Sequence, residues 1–203
     1  MTYLYGASGH AKVVIEILEL ENVLISGLID VDPKKKKLLD YPVFQQMPYV
    51  SDNNIRLIIC IGNNVIRKKL AKDVNAEFAT AIHPSANISR RSLVGQGSVI
   101  MASVSVNSGA TVGNHVILNT NCSIDHDCSL SDYVHISPNA ALAGNVIIGE
   151  GTHIGIGASI IQGVKIGKWV TIGAGAVIIE DIPDYAVVVG NPGKIIKYNQ
   201  FNE

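Results

Sequence analysis

The chain reads as two fold classes in series: a small Rossmann-like α/β unit with a parallel sheet, then a parallel β-helix. Three observations carry this reading. From Ile82 every sixth residue is a branched aliphatic, through Ile88 and Val94 to Ile172 and Ile178, seventeen positions without a slip. Two residues before these positions stands a small or β-branched residue, from Ala86 and Ser92 to Val170 and Ala176. Ahead of the repeat, short apolar runs alternate with helical patterns and end at Gly6, Asp30 and Gly62.

A strict period of six fits neither a helix, at about 3.6, nor a half-buried strand, at about 2. It fits a hexapeptide coil, in which each repeat supplies a short strand and a turn. Three repeats close one coil, so residues 18 apart in the sequence stack about 4.8 Å from each other along the axis. The seventeen aliphatics fill the interior of a prism over nearly six coils. A hydrophobic share of 47% with only 5% aromatic residues suits a core built from Ile and Val.

The elements follow in order. Thr2–Tyr5 predicts a first strand, leading into Gly6-Ala7-Ser8-Gly9-His10. Val13, Val14, Ile17 and Leu18 recur at helical spacing up to about Glu21. Leu24–Ile29 predicts a second strand ending in Asp30, and Ile55–Ile61 a buried parallel strand ending in Gly62. Asn63 is placed to cap a helix running through Lys72. Such alternation gives a three-layer α/β unit over 1–81, joined to the prism at His83-Pro84. The prism is expected over 82–182, and 183–203, with Pro183, Gly190 and Pro192, as a short basic tail.

A formal net charge of −1 gives no electrostatic case for nucleic acid or a membrane surface. No stretch has the length of a membrane span, and the polar Met1-Thr2 start does not read as a signal peptide. Cys122 and Cys128 fall in the small inward slot of the repeat, and Cys60 in an apolar run. None has metal-type C-x-x-C spacing, and Cys122 and Cys128 read as reduced core residues of a cytoplasmic protein.

Gly6-x-x-Gly9, after a strand and before a helix, puts backbone N–H groups at a helix N-terminus, where a phosphate is stabilised. The full G-x-G-x-x-G pattern is absent, because Ser8 and Ala11 stand where glycines would be. Asp30 and Gly62 fall at the carboxyl ends of parallel strands, so three segments converge on one crevice. Lys34–Lys37 reads as a solvated loop.

Of the six histidines, His83 reads as structural, and His115 and His153 as solvated residues in turn or outward positions. His135 and His153 are 18 apart and stack, facing a neighbouring chain. A zinc site needs three converging imidazoles. His126 lies nine residues from His135, on another part of the coil. A partner would have to supply the third ligand, so no metal is expected. His126 itself stands between Asp125 and Asp127, directly after an inward aliphatic. A neighbouring carboxylate raises an imidazole's pKa and fixes its orientation, which suits a general base. One coil on stands Gly144, which leaves room over the ring and offers a backbone N–H to an oxyanion.

Tyr5-Gly6-Ala7-Ser8-Gly9-His10, Ile61-Gly62-Asn63-Asn64 with Arg67-Lys68-Lys69, and Val116–Thr120 leading to Asp125-His126-Asp127 together resemble the PglD/NeuD-type bacterial sugar acetyltransferases. The likeness runs end to end, including Val189-Gly190-Asn191-Pro192-Gly193-Lys194. It is greatest to members that acetylate the 4-amino group of a UDP-linked 4-amino-4,6-dideoxy sugar on the way to diacetylbacillosamine. The resemblance implies a left-handed β-helix, a homotrimer with active sites between prisms, and acetyl-CoA as donor. It also implies His126 as base, Asp127 as its carboxylate and the Gly144 N–H at the thioester oxygen. Ser8, Gly9, His10, Asp30, Gly62 and Val65 would line the nucleotide-sugar site; His135, Ile156 and Ala174 would contact acetyl-CoA. Asp125 and Asp127 replace the family's Glu residues, Val31 replaces a second acid after Asp30, and Ala174 replaces a glycine. The alternatives are O-acetylation of sialic acid, N-acetylation of GDP-perosamine, a carbonic anhydrase-like metalloprism, or a scaffold without chemistry.

Overall fold

A computed structural model describes residues 1–47 and 55–200. The α/β unit begins with β1 (Thr2–Tyr5), α1 (Gly9–Leu20) and β2 (Ile25–Ile29), followed by β3 (Lys37–Leu38) and β4 (Tyr41–Phe44). It closes with β5 (Arg56–Ile59), α2 (Asn64–Asp73) and β6 (Glu77–Phe78). The sheet order is β3-β4-β2-β1-β5-β6, parallel except for the β3–β4 pair. The sequence reading lacked β3 and β4. Pro42 disguises the second, and its place toward the sheet edge is where proline is tolerated.

Local chemistry sets both helices. Ile15, Ile17 and Leu18 of α1 are buried against the sheet with Val14. Asn63 caps α2 as expected, its Oδ1 accepting the Ile66 N–H at 3.0 Å. Ser8 holds the N-cap position of α1 but makes no side-chain cap bond, so the first-turn N–H groups lack that partner.

The prism is as the period requires. Seventeen two-residue strands form three parallel sheets of coil-on-coil pairs. The first face runs from Ala81–Ile82 to Thr171–Ile172, the second from Asn87–Ile88 to Val177–Ile178, the third from Leu93–Val94 to Lys165–Ile166. Val99 pairs with Ile117 and Ile117 with His135, the 18-residue register. From Ile100 to Ile178 the inward aliphatics are buried, and each fully buried one contributes about 1.5–3 kcal/mol. Ile82, Ile88 and Val94 are only half-buried, because their strands end the three sheets and no further coil stacks beneath them.

Two features depart from the sequence reading. Residues expected as a tail instead extend the first face: Ala186–Val189 pairs in parallel with Thr171–Ile172, and Lys194–Tyr198 returns antiparallel. Residues 201–203 of that segment lie outside the described residues. The α/β unit also shares its core with the prism, since Ala81, Val99, Met101 and Ile117 pack in one cluster with Leu4, Ala11, Val14 and Ile58.

Candidate active site

Two groups of side chains stand on different parts of the surface. The first lies at the corner between the second and third faces. His126 is exposed there, and its Nδ1 lies 2.8 Å from Asp127 Oδ2. The His126 N–H donates to Asp125 Oδ1 at 2.7 Å, and the same oxygen accepts the Asn107 amide at 2.8 Å. The hydrogen bond from Asp127, then the charge of Asp125, holds the imidazole above its ordinary pKa. Asn107, followed by the His126 N–H, holds the Asp125 carboxyl below the usual carboxylate range. The shorter aspartate therefore reaches the ring directly.

The coil stacking makes room for this pair. A Cβ on Gly144 would lie 2.5 Å from His126 Cε1 and 2.6 Å from Nε2. On the other side, a Cβ on Gly109 would run into Asp127 Oδ1. Asp127 takes φ 58°, the left-handed conformation that recurs at every corner from Gly97 to Gly175 and that aspartate tolerates better than most residues. Among the described residues the Gly144 N–H has no hydrogen-bond acceptor.

The second group lies where the α/β unit meets the first face. Gly6 turns the chain at φ 103°, and a Cβ there would come within 2.9 Å of Ile61. Gly9 faces open space, with nothing within 4 Å of its would-be Cβ. Asp30 is committed to its own chain: Oδ2 accepts the Ala7 N–H at 2.8 Å and Lys35 Nζ at 2.7 Å, and Oδ1 accepts the Asp32 N–H at 3.0 Å. Burial raises the Asp30 pKa, but the Lys35 bond and the two backbone donors outweigh it, leaving the net value low. Lys35 thus leaves the solvated-loop reading and joins the crevice.

Among the described residues, the buried His10 Nε2 has no hydrogen-bond partner. Burial, helped by the Arg67 charge, pushes its pKa down to about 4. His135 Nδ1 lies 3.3 Å from the Gly62 carbonyl, and its ring stacks on His153 at 4.7 Å. The stacked pair thus lies against its own α/β unit. His153 Nε2 lies 2.8 Å from Ser137 Oγ, so it is not a plain solvated residue. His115 is buried, not solvated, edge-on to Phe78 at 4.6 Å and stacked on Tyr133. Val65 is exposed in the first turn of α2, beside a crevice of about 210 Å³ that includes Gly62, His153, Trp169, Thr171 and Asn199.

Ile156 and Ala174 stand apart from both groups. They are exposed at the corner between the first and second faces, one coil above the other, linked by the Gly175 N–H to the Ile156 carbonyl at 2.8 Å. One chain therefore gathers Ser8, Gly9, His10, Asp30, Gly62, Val65 and His135, gathers His126, Asp127 and Gly144 separately, and leaves Ile156 and Ala174 at a third place. Sequence reasoning quoted Asn64 and Arg67 only as part of a motif, without their contacts here, and did not single out Trp169 or Asn199.

The PglD N-terminal domain family matches residues 2–74, and the bacterial transferase hexapeptide family, six repeats, matches residues 145–180. A crystal structure of PerB from Caulobacter crescentus with CoA and GDP-perosamine superposes at TM-score 0.91, with 37% identity over 97% of each chain. The chain belongs to the PglD-type hexapeptide-repeat sugar acetyltransferases. In this family the acetyltransferase domain of PglB from Neisseria gonorrhoeae, in complex with acetyl coenzyme A, superposes at TM-score 0.89 with 37% identity, covering 96% of this chain and 98% of that one. UDP-N-acetylbacillosamine N-acetyltransferase of Bacillus subtilis is 36% identical over 109 residues, 49% of this chain and about half, 50%, of the relative's length. The ligands of the two crystal structures include the acetyl donor that the sequence predicts, or its CoA product.

Proposed function

We propose that the protein transfers acetyl from acetyl-CoA to the 4-amino group of a UDP-linked 4-amino-4,6-dideoxy-N-acetyl hexosamine, forming a UDP-diacetylbacillosamine. The observation that carries this reading is His126, an exposed imidazole bound to Asp127 with Gly144 over its ring. The amine lone pair attacks the thioester carbon while Nε2 of His126 takes the proton from nitrogen. Asp127 holds the resulting imidazolium through Nδ1. The carbonyl π pair moves to oxygen, where the Gly144 N–H donates to the oxyanion. Collapse breaks the C–S bond, and the CoA thiolate takes the proton back from His126. Cys60, Cys122 and Cys128 are buried, in keeping with direct transfer.

The sugar nucleotide lies along Ser8–His10, Asp30, Gly62 and Val65. The uncapped first turn of α1 and the open space at Gly9 support a diphosphate there. His126 and Ile156 stand at different corners of one prism, which supports a homotrimer whose prisms share each site, with His126 of one chain meeting His135, Ile156 and Ala174 of the next around acetyl-CoA. Three free cysteines and an acetyl-CoA donor suit the cytoplasm. Among the described residues no helix is long and apolar enough to cross a membrane. A second reading, N-acetylation of GDP-perosamine, is favoured by the end-to-end match to the structure holding that sugar. The test is thiol release from acetyl-CoA with UDP- and GDP-linked 4-amino sugars in parallel. Turnover with the UDP sugar is expected; turnover with only the GDP sugar selects the second reading, and none with either rejects both.

A further inference from the structure

Arg67 on α2 is 1% exposed, yet all of its hydrogen bonds go to neutral acceptors. Nε donates to the His115 carbonyl at 2.8 Å, Nη1 to those of Ile61 at 2.9 Å and Gly62 at 3.2 Å, and Nη2 to Asn64 Oδ1 and the Tyr133 carbonyl, both at 2.8 Å. A guanidinium buried without a carboxylate is expensive, and apolar residues hold such joints at no loss of stability. A purely mechanical role is therefore a poor explanation for it. What Arg67 does besides bridging is meet the Gly62 carbonyl, the same oxygen that His135 Nδ1 approaches at 3.3 Å.

A carbonyl only accepts, so Nδ1 of His135 carries the hydrogen. Nε2 is left as an acceptor, 3.4 Å from the Asn119 amide nitrogen. The titratable groups around this ring are Arg67 from α2, His153 stacked from the next coil and His10 from α1. None is an acid; the Gly62 carbonyl favours an imidazolium, but burial and these groups oppose it. Burial first, then His153 and Arg67, push the His135 pKa down to about 3.

We infer that Arg67 is a positioning residue of the transfer site, fixing the Gly62 carbonyl so that His135 is held as a neutral hydrogen-bond acceptor at the seam between the α/β unit and the prism. The inference rests on the reading of this crevice as the substrate site. A sugar bearing an amine reaches the crevice partly as an ammonium ion. A neutral acceptor receives its N–H, whereas a charged imidazole would repel it. On that reading a cationic acceptor substrate meets a wall whose His10, His135 and His153 are all held below the ordinary histidine pKa.

The decisive measurement is the long-range ¹H–¹⁵N spectrum of the wild-type protein labelled at histidine, with the His135 signals assigned by His135→Gln. At pH 7 His135 should show a protonated Nδ1 and an unprotonated Nε2, unchanged down to about pH 5. A protonated Nε2 or an imidazolium at pH 7 overturns the inference, whether or not any variant folds. Arg67→Met should release this tautomer and lower kcat/KM for the amino sugar by roughly tenfold, the worth of about one oriented hydrogen bond. The Arg67 charge is one of the causes that lower the His135 pKa, so the loss should grow as pH falls. Arg67→Lys keeps the charge but not the fork, so it should restore the pH profile without restoring the tautomer. An Arg67→Met protein with the wild-type His135 spectrum overturns the inference. Because the spectra need no substrate, a protein that acetylates no amino sugar but shows the tautomer shift refutes the proposed function alone.

Discussion

His126 is exposed, so its chemistry depends on two short contacts more than on burial. General-base assistance is worth about 10²–10⁴ in rate, and His126→Ala should lower kcat by that order with little change in KM for acetyl-CoA. Asp127→Asn should fall between that variant and wild type. The sign of the pH effect follows from the raised pKa. A protonated imidazole cannot accept a proton, so kcat should fall as pH drops through a value above the ordinary 6.5 or so. Asp127→Asn removes the largest cause of the rise and should move that limb to lower pH. A pH–rate profile checks both; an alanine variant with the wild-type limb would refute His126 as base. Gly144→Ala tests the space above the ring. Its methyl group would meet His126 at 2.5 Å, so kcat should fall while the unfolding transition stays in place. His126 and Gly144 were legible in the sequence because a period of 18 makes them neighbours by arithmetic. Arg67 was not, since its acceptors His115 and Tyr133 are 48 and 66 residues away and belong to another domain.

At the scale of elements, the β1–α1 turn and the coil are the testable units. Gly9→Val places a branched side chain in open space at the first residue of α1, so folding should survive and KM for the nucleotide sugar should rise, with KM for acetyl-CoA little changed. Parallel losses for both substrates would mean that the turn is merely structural. Within the coil, Ile136→Ala should cost about 2–5 kcal/mol in denaturant unfolding, because its site is closed by coils on both sides. Ile82→Ala should cost clearly less, its site being half-open. β1, α1, β2, α2 and the prism strands were readable because each has a local pattern. β4 and the closing strand Lys194–Tyr198 were not: the first contains a proline, and the second lies exposed, with its inward and outward residues undistinguished.

For the whole molecule, the separation of His126 from Ile156 and Ala174 predicts that one chain alone is inactive. Light scattering at micromolar concentration should give three times the chain mass. Mixed trimers sharpen the point. His126→Ala and Ile156→Glu chains, each inactive alone, should regain part of the activity when unfolded and refolded together. Failure to complement would place each site within one chain.

The sequence by itself determined the prism, its register and the stacking of His126 under Gly144, because a repeat of fixed length converts linear spacing into distance. It also marked the crevice formed by the Gly6, Asp30 and Gly62 ends, since parallel strands expose their carboxyl ends on one side. Only the tertiary structure decided how the α/β unit sits on the first face. That docking buries His115, turns His135 toward Gly62 and leaves Arg67 bonded to carbonyls of both domains. These contacts join segments with no shared period, and their directions depend on packing between two surfaces, which no spacing along the chain encodes.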